Sequence, residues 1–322
     1  MKKMNPIAMA VVLIVSMVSF YQCTHDEELF AGFPVVHDFQ NLQQLHDTLT
    51  LNDTVGLSIS DPTIENIVQG AQGTKLIVPA NSLTLPGGGE ATPPFSVSML
   101  EIFKRGDMIR HNVQTFAGQS PLVSGGVLWL QIKDANGATL ALNGVQAVLP
   151  YRTNASGYEN DMQHYTGTNQ SAPSGSQIVS WGAGSSEVTY NAGAGVSGEF
   201  TIATVSNGWN HAASPLQIPD GQATQFSVRV PNSSDFSQTE VFFTMNEFTT
   251  VAALTSVQGD AISTFTGTVP TGAQGKLVAI SLVEGALHFG VLDVTVSGDD
   301  EFSVSVQPGT VPEFQSLLSA MN

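Results

Sequence analysis

The chain of 322 residues holds a single cysteine, Cys23, so no disulfide can form within it and its stability rests on packing and hydrogen bonding. Positive charge is scarce as well: ten Lys and Arg stand against 27 Asp and Glu, a formal net charge of −17. Such a surface repels polyanions, which argues against nucleic-acid binding, since that needs clustered Lys and Arg to displace phosphate counterions. Charge of either sign is thin, at 11% of residues against roughly 25% in ordinary soluble domains. Ser, Thr, Gly, Asn and Gln fill the gap, the composition of a β-protein outside the cytoplasm. The longest uncharged apolar stretch, Ile7 to Phe20, falls short of the roughly 17 to 25 residues that a transmembrane helix needs. Missing too are the G-x-S-x-G elbow, the H-E-x-x-H pair and the phosphate loop, so no nucleophile, zinc or nucleotide chemistry is announced by motif.

What is present is most informative at the start. Met1-Lys2-Lys3 precedes the Ile7–Phe20 stretch, and the only thiol follows it directly, the order of a basic n-region, an apolar h-region and an acylation site. Cys23 is the expected lipidation site, carrying a palmitate-type acyl chain. Cleavage before it removes Lys2 and Lys3 and no acid, which takes the charge from −17 to −19. The residues Phe20-Tyr21-Gln22 depart from the usual lipobox. With its loose lipobox and the acids Asp26, Glu27 and Glu28 just after Cys23, the segment resembles the lipoproteins of Bacteroidota, in which such acids act as a surface-export signal. Asp47-Thr48-Leu49 and Asp53-Thr54-Val55 are similar to the O-glycosylation triplets of the same group, with Thr48 and Thr54 as acceptors. The resemblance implies an outer-membrane lipoprotein facing the cell surface, with the periplasmic face as the alternative.

Residues 23–55 read as an acylated tether with one helix, Asp38 to Thr50, where Phe39, Leu42, Leu45 and Leu49 recur at helical spacing. Short alternating runs with turn punctuation follow, the pattern of antiparallel sheets. A first β-sandwich is expected over 56–206, with strands at Leu76–Val78, Phe95–Met99, Val127–Ile132, Leu140–Leu149 and Phe200–Ile202, interrupted by a polar loop from Thr153 to Gly175. Asp134-Ala135-Asn136-Gly137 reads as a hairpin turn, because Asn-Gly tolerates positive φ. A smaller Ig-like or fibronectin-like sandwich is expected over 207–322, with strands at Phe226–Val230, Val241–Phe243, Leu277–Leu282, Leu287–Val296 and Phe302–Val306. It closes on a short C-terminal helix whose Thr310 and Glu313 are spaced as a capping box.

Spaced blocks in the first half carry a second resemblance. Gly73-Thr74, Val78-Pro79-Ala80-Asn81-Ser82-Leu83, Leu100-Glu101-Ile102, Asp107-Met108-Ile109, Asn112, Thr115, Leu122-Val123-Ser124-Gly125-Gly126 and Leu149-Pro150 are together similar to the ZU5-like β-sandwich of Bacteroidota envelope proteins. That family implies protein–protein contact and scaffolding, with no catalytic centre to carry over.

Gly193-Ala194-Gly195-Val196-Ser197-Gly198 matches G-x-G-x-x-G in letters, but the strand formers Glu199-Phe200-Thr201-Ile202 follow where a dinucleotide site needs a helix, so it reads as a glycine-rich turn. The seven histidines show no close metal-type spacing; His111 and His211 are the two to watch, each against the alternative of an ordinary surface or core histidine. Asp299-Asp300-Glu301 reads as a solvated turn before it reads as a cation site. For glycan binding, Tyr158, Tyr165 and Trp181 flank the polar loop, with Asn154, Asn160 and Asn169 as hydrogen-bonding neighbours; the competing reading puts Trp181 and Tyr190 in the sandwich core. The sequence thus leads to an all-β, two-sandwich, lipid-anchored envelope protein without catalysis or cofactor. Its expected partners are the membrane and either another envelope protein or a glycan, and a carbohydrate-binding or glycan-active protein is the alternative.

Overall fold

The computed structural model describes residues 38–193, 198–231 and 236–321. The expectations placed on Cys23, Asp26, Glu27 and Glu28, and residues 194–197 of the glycine-rich turn, lie outside these. From Phe39 onward the chain makes one compact unit, an all-β sandwich fold with short helices. In the first half the larger sheet runs, in spatial order, Val55–Ile59, Phe95–Ile102, Ser120–Lys133, Gly208–Pro215, Gln163–Ser171 and Gln177–Ala183, with Phe116–Ala117 paired beside Ser120–Lys133. Facing it is a five-stranded sheet in the order Val188–Asn191, Glu199–Ile202, Gln146–Pro150, Lys75–Val78 and Asn66–Gln69. In the second half the strands Val251–Ala253, Thr239–Met245, Gln274–Val283, Ala286–Thr295 and Gln307–Pro308 form one sheet. A four-stranded sheet around Phe226–Arg229 forms the other.

Strand periodicity explains how these layers stack. Leu128, Leu130 and Ile132 point into the first sandwich, while Val127 and Trp129, one residue out of phase, join a separate apolar cluster on the outer face. That outer cluster also takes Phe242, Val278 and Ile280 from the second half. Both faces of the central strands are therefore covered, and all seven residues of Thr239–Met245 are buried, which is why such strands read as continuous rather than alternating apolar runs.

Three helices seal the junction between the halves. Helix α1, Leu42–Leu49, starts at Asn41, whose side chain accepts from Gln44 N, and buries Leu42, Leu45 and Leu49 in the outer cluster. Each such burial is worth roughly 1.5–3 kcal/mol, and a helix this short is marginal without it. Helix α2, Arg105–Arg110, packs on helix α3, Val311–Ser319. Gly106 permits that contact, since a Cβ there would lie 1.8 Å from the Leu318 carbonyl oxygen. Helix α3 begins with the expected capping box, Thr310 and Glu313 bonding each other's backbone N–H.

The turn at Asp134–Gly137 forms as expected, with Gly137 at φ 84 and Asp134 Oδ1 accepting from Asn136 N and Ala138 N at 2.9 Å each. Other expectations are corrected. The loop placed at Thr153–Gly175 contains the strand Gln163–Ser171; its outer half is exposed and polar on both sides, so it shows no apolar alternation. The boundary placed at 206/207 falls inside the reach of the first sheet, because Gly208–Pro215 pairs there on both edges. Leu140–Leu149 divides into Ala141–Leu142 and Gln146–Pro150.

Candidate binding site

The sheet register gathers residues that are far apart in sequence. Trp209 stands opposite Trp129 on one neighbouring strand and Gly167 on the other, and Gly167 stands opposite Trp181. The chain's three tryptophans thus lie in one row across the outer face of the larger sheet. Gly167 makes room for them: a Cβ there would sit 2.7 Å from Trp209 Cβ and 2.9 Å from Trp181 Cζ3. At the inner end of the row Trp181 is 4% exposed, its Nε1 donating to the Gln114 carbonyl at 2.6 Å and its ring 4.6 Å from that of His211. At the outer end Trp129 and Trp209 are only partly covered, and Trp209 Nε1 donates to Asn169 Oδ1 at 3.2 Å.

Beside Trp209 a cleft of ≈ 170 Å³ opens between the sheet and helix α1. Helix α1 contributes Gln43, His46 and Asp47, with Thr50 just past its end; the exit of helix α2 contributes His111 and Asn112, and the sheet contributes Asn169, Gln177 and Val179. Gln43 Oε1 accepts from Gln177 N at 2.7 Å, pinning the helix to the sheet edge. Behind His111, Asp53 Oδ2 pairs with an Arg110 guanidinium nitrogen at 3.1 Å and lies 2.9 Å from His111 Nε2 without hydrogen-bond alignment.

From the cleft wall at His46 and Asn112 a buried polar cluster runs inward. His46 Nε2 meets Glu240 Oε2 at 2.7 Å, while His46 Nδ1 faces the Arg110 carbonyl at 3.0 Å. Glu240 Oε1 accepts from Ser174 Oγ at 2.7 Å and from Ser176 Oγ in a very close contact. Burial opposes charge on both partners, yet their mutual attraction and hydrogen bonds prevail: the His46 pKa is raised and the Glu240 pKa lowered from the ordinary values. Acid, histidine and serine are all present, but the carboxylate separates the other two. Both imidazole nitrogens face acceptors, so neither is free to take a proton from a serine hydroxyl, the contact that nucleophilic activation requires.

The remaining predicted residues fall as follows. Tyr165 is 6% exposed and, with Trp181, is packed in the outer cluster, so neither ring is open to stack on a sugar; the core reading holds for Trp181. Tyr158 is half-buried, edge-on to Phe248, its hydroxyl accepting from Gln217 N at 3.2 Å. It lines a separate cleft of ≈ 670 Å³ with Gln217, Phe248 and Gln274. A third cleft of ≈ 620 Å³ is lined by Gln114, Gln170, Ser180 and Phe265. His211 is wholly buried, its Nε2 on Ser124 Oγ at 2.9 Å, and burial together with the charge of His164 drives its pKa to about 3. Thr48 is half-buried on helix α1, its hydroxyl donating to the Gln44 carbonyl at 2.8 Å, whereas Thr54 is exposed ahead of Val55–Ile59. Among the described residues no group of three or more His, Cys, Asp or Glu is placed to hold a metal ion, and no helix is long and apolar enough to cross a membrane.

Trp129 and Trp209, neither of them an expected site residue, are both partly covered and stand opposite each other across the sheet. Trp129 lies inside an apolar run and reads as core by pattern; only the register with a strand 80 residues away reveals the pair. The chain matches no family model and no curated protein.

Proposed function

We propose that the chain is a non-catalytic, lipid-anchored protein of the cell envelope that acts as a binding or scaffolding module. The observation that carries this reading is the use to which the buried ionisable residues are put. His46, Glu240, Ser174, Ser176 and Asn112 form one buried hydrogen-bonded group, and their bonds join helix α1 and the first sandwich to a strand of the second. Reactive groups spent on architecture leave surfaces rather than a reaction centre as the working parts. The order of Met1-Lys2-Lys3, apolar stretch and Cys23 supports the anchor, with the acids Asp26, Glu27 and Glu28 as export signal. The ZU5-like blocks support the scaffolding side.

Protease treatment of intact native cells, comparing wild type with Cys23→Ala, tests the anchor and the side it faces. Digestion of a membrane-bound wild type, with loss of the membrane-bound form in the variant, is expected. Protection until the outer membrane is opened would turn the reading to a periplasmic scaffold, and membrane retention of Cys23→Ala would remove the lipid anchor.

A further inference from the structure

Trp209 and Trp129 lie side by side and partly open on a sheet face whose other tryptophan is buried. The adjoining cleft is lined by the amides of Gln43, Asn169 and Gln177, the Asp47 carboxylate, the Thr50 hydroxyl and the imidazoles of His46 and His111, with Val179 its one aliphatic wall. An aromatic ring flanked by side-chain amides and an acid suits a ligand with an apolar face and a rim of hydroxyls, the two surfaces of a pyranose. The volume of ≈ 170 Å³ equals about five or six waters at ~30 Å³ each, room for one ring and not for a folded chain.

Asn112, 2% exposed, closes the back of the cleft, its Nδ2 donating to Ser176 Oγ at 2.8 Å and to Glu240 Oε1 at 3.4 Å. Charge narrows the class further: a chain with a formal charge of −17 disfavours uronic or sulfated sugars.

We infer that the Trp209 cleft is a subsite for a neutral saccharide. One ring sits on Trp209 with its hydroxyls toward Asp47, Gln43 and Gln177, and the next ring runs over Trp129. The inference rests on the binding-module reading and names its ligand class. Saturation-transfer NMR on the full chain, with maltotetraose, cellotetraose, xylotetraose, mannotetraose and chitotetraose as probes, tests it. At least one probe should show transfer, with affinity at least about tenfold weaker in Trp209→Ala and in Asp47→Ala. Asp47 is exposed on helix α1, so its variant keeps the test decisive if Trp209→Ala fails to fold. No transfer from any of the five, or affinity unchanged in the folded variants, overturns the subsite. Membrane anchoring through Cys23 is read separately, so failure here leaves the envelope-module reading standing, while release of shortened saccharide would sink that reading.

Discussion

His46 Nε2 lies 2.7 Å from Glu240 Oε2 across 194 residues of sequence, and this contact bolts helix α1 to the strand Thr239–Met245 of the second half. Both side chains are nearly enclosed, so removing either one strands the other. Breaking a buried pair in this way costs about 3–5 kcal/mol. His46→Ala should lower the denaturant midpoint accordingly, and a double-mutant cycle with Glu240→Gln should return a coupling that exposed pairs do not show.

The same pair has a pH signature. The folded His46 pKa is raised above 6.5, so its contribution is complete below that value and is lost as pH rises through the raised pKa. The folded Glu240 pKa is lowered from 4.5, so its contribution is present above that value and is lost as pH falls through the lowered pKa. The coupling energy should therefore be flat between about pH 4.5 and 6.5 and decline on either side. A coupling that keeps rising above pH 8 would contradict this assignment.

His211 acts in the opposite sense. With its pKa driven from 6.5 to about 3, the unfolded chain binds a proton that the native chain refuses between those values, so stability falls as pH falls from 6.5 toward 3. The limiting slope is about 1.4 kcal/mol per pH unit for one proton. Urea denaturation of His211→Gln at pH 6 and pH 4 should show a shallower acid loss than wild type, with His164, also lowered by burial, leaving a residual slope.

Gly106→Ala should be disproportionately costly for so small a change. The added methyl would meet the Leu318 carbonyl oxygen at 1.8 Å, and overpacking against backbone costs about 1–3 kcal/mol. Thermal melts would show it, and the loss should fall when residues after Gly309 are removed as well, since helix α3 is then gone. An Ala variant as stable as wild type would mean the two helices are not held this close.

Substitutions along the tryptophan row should separate core from surface. Trp181→Ala removes an enclosed ring and should cost about 3–5 kcal/mol. Trp129→Ala and Trp209→Ala remove partly exposed rings and should cost markedly less in the same denaturant titration. Equal costs at all three positions would place Trp209 in the core and close the cleft to ligands.

Local signals in the sequence were legible wherever the neighbours that satisfy them are also local. The Thr310–Glu313 box, the Asp134–Gly137 turn, helix α1 and the alternation of Phe95–Met99 all depend on residues within a few positions, and all are found in the structure. Gln163–Ser171 was missed because half of it is exposed on both faces, so nothing forces apolar alternation. Helix α2 was missed because a run of six residues is too short for a periodic pattern. The site was the least legible part. Trp181 looks accessible beside a polar loop and is buried against Gln114, Gly167 and His211, while Trp129 looks like core and is half open. No local pattern could bring Trp129 to Trp209 or His46 to Glu240, since both pairings are set by sheet register and layer stacking.

The buried acid–histidine–serine cluster can serve in only one of two ways, holding the fold or performing a reaction. The most direct measurement incubates the purified chain with the neutral oligosaccharides and with generic ester and peptide substrates, following products by mass spectrometry, beside Glu240→Gln. The account predicts no product from either protein and a loss of stability alone in the variant. Product formed by wild type and abolished in a folded Glu240→Gln would contradict it.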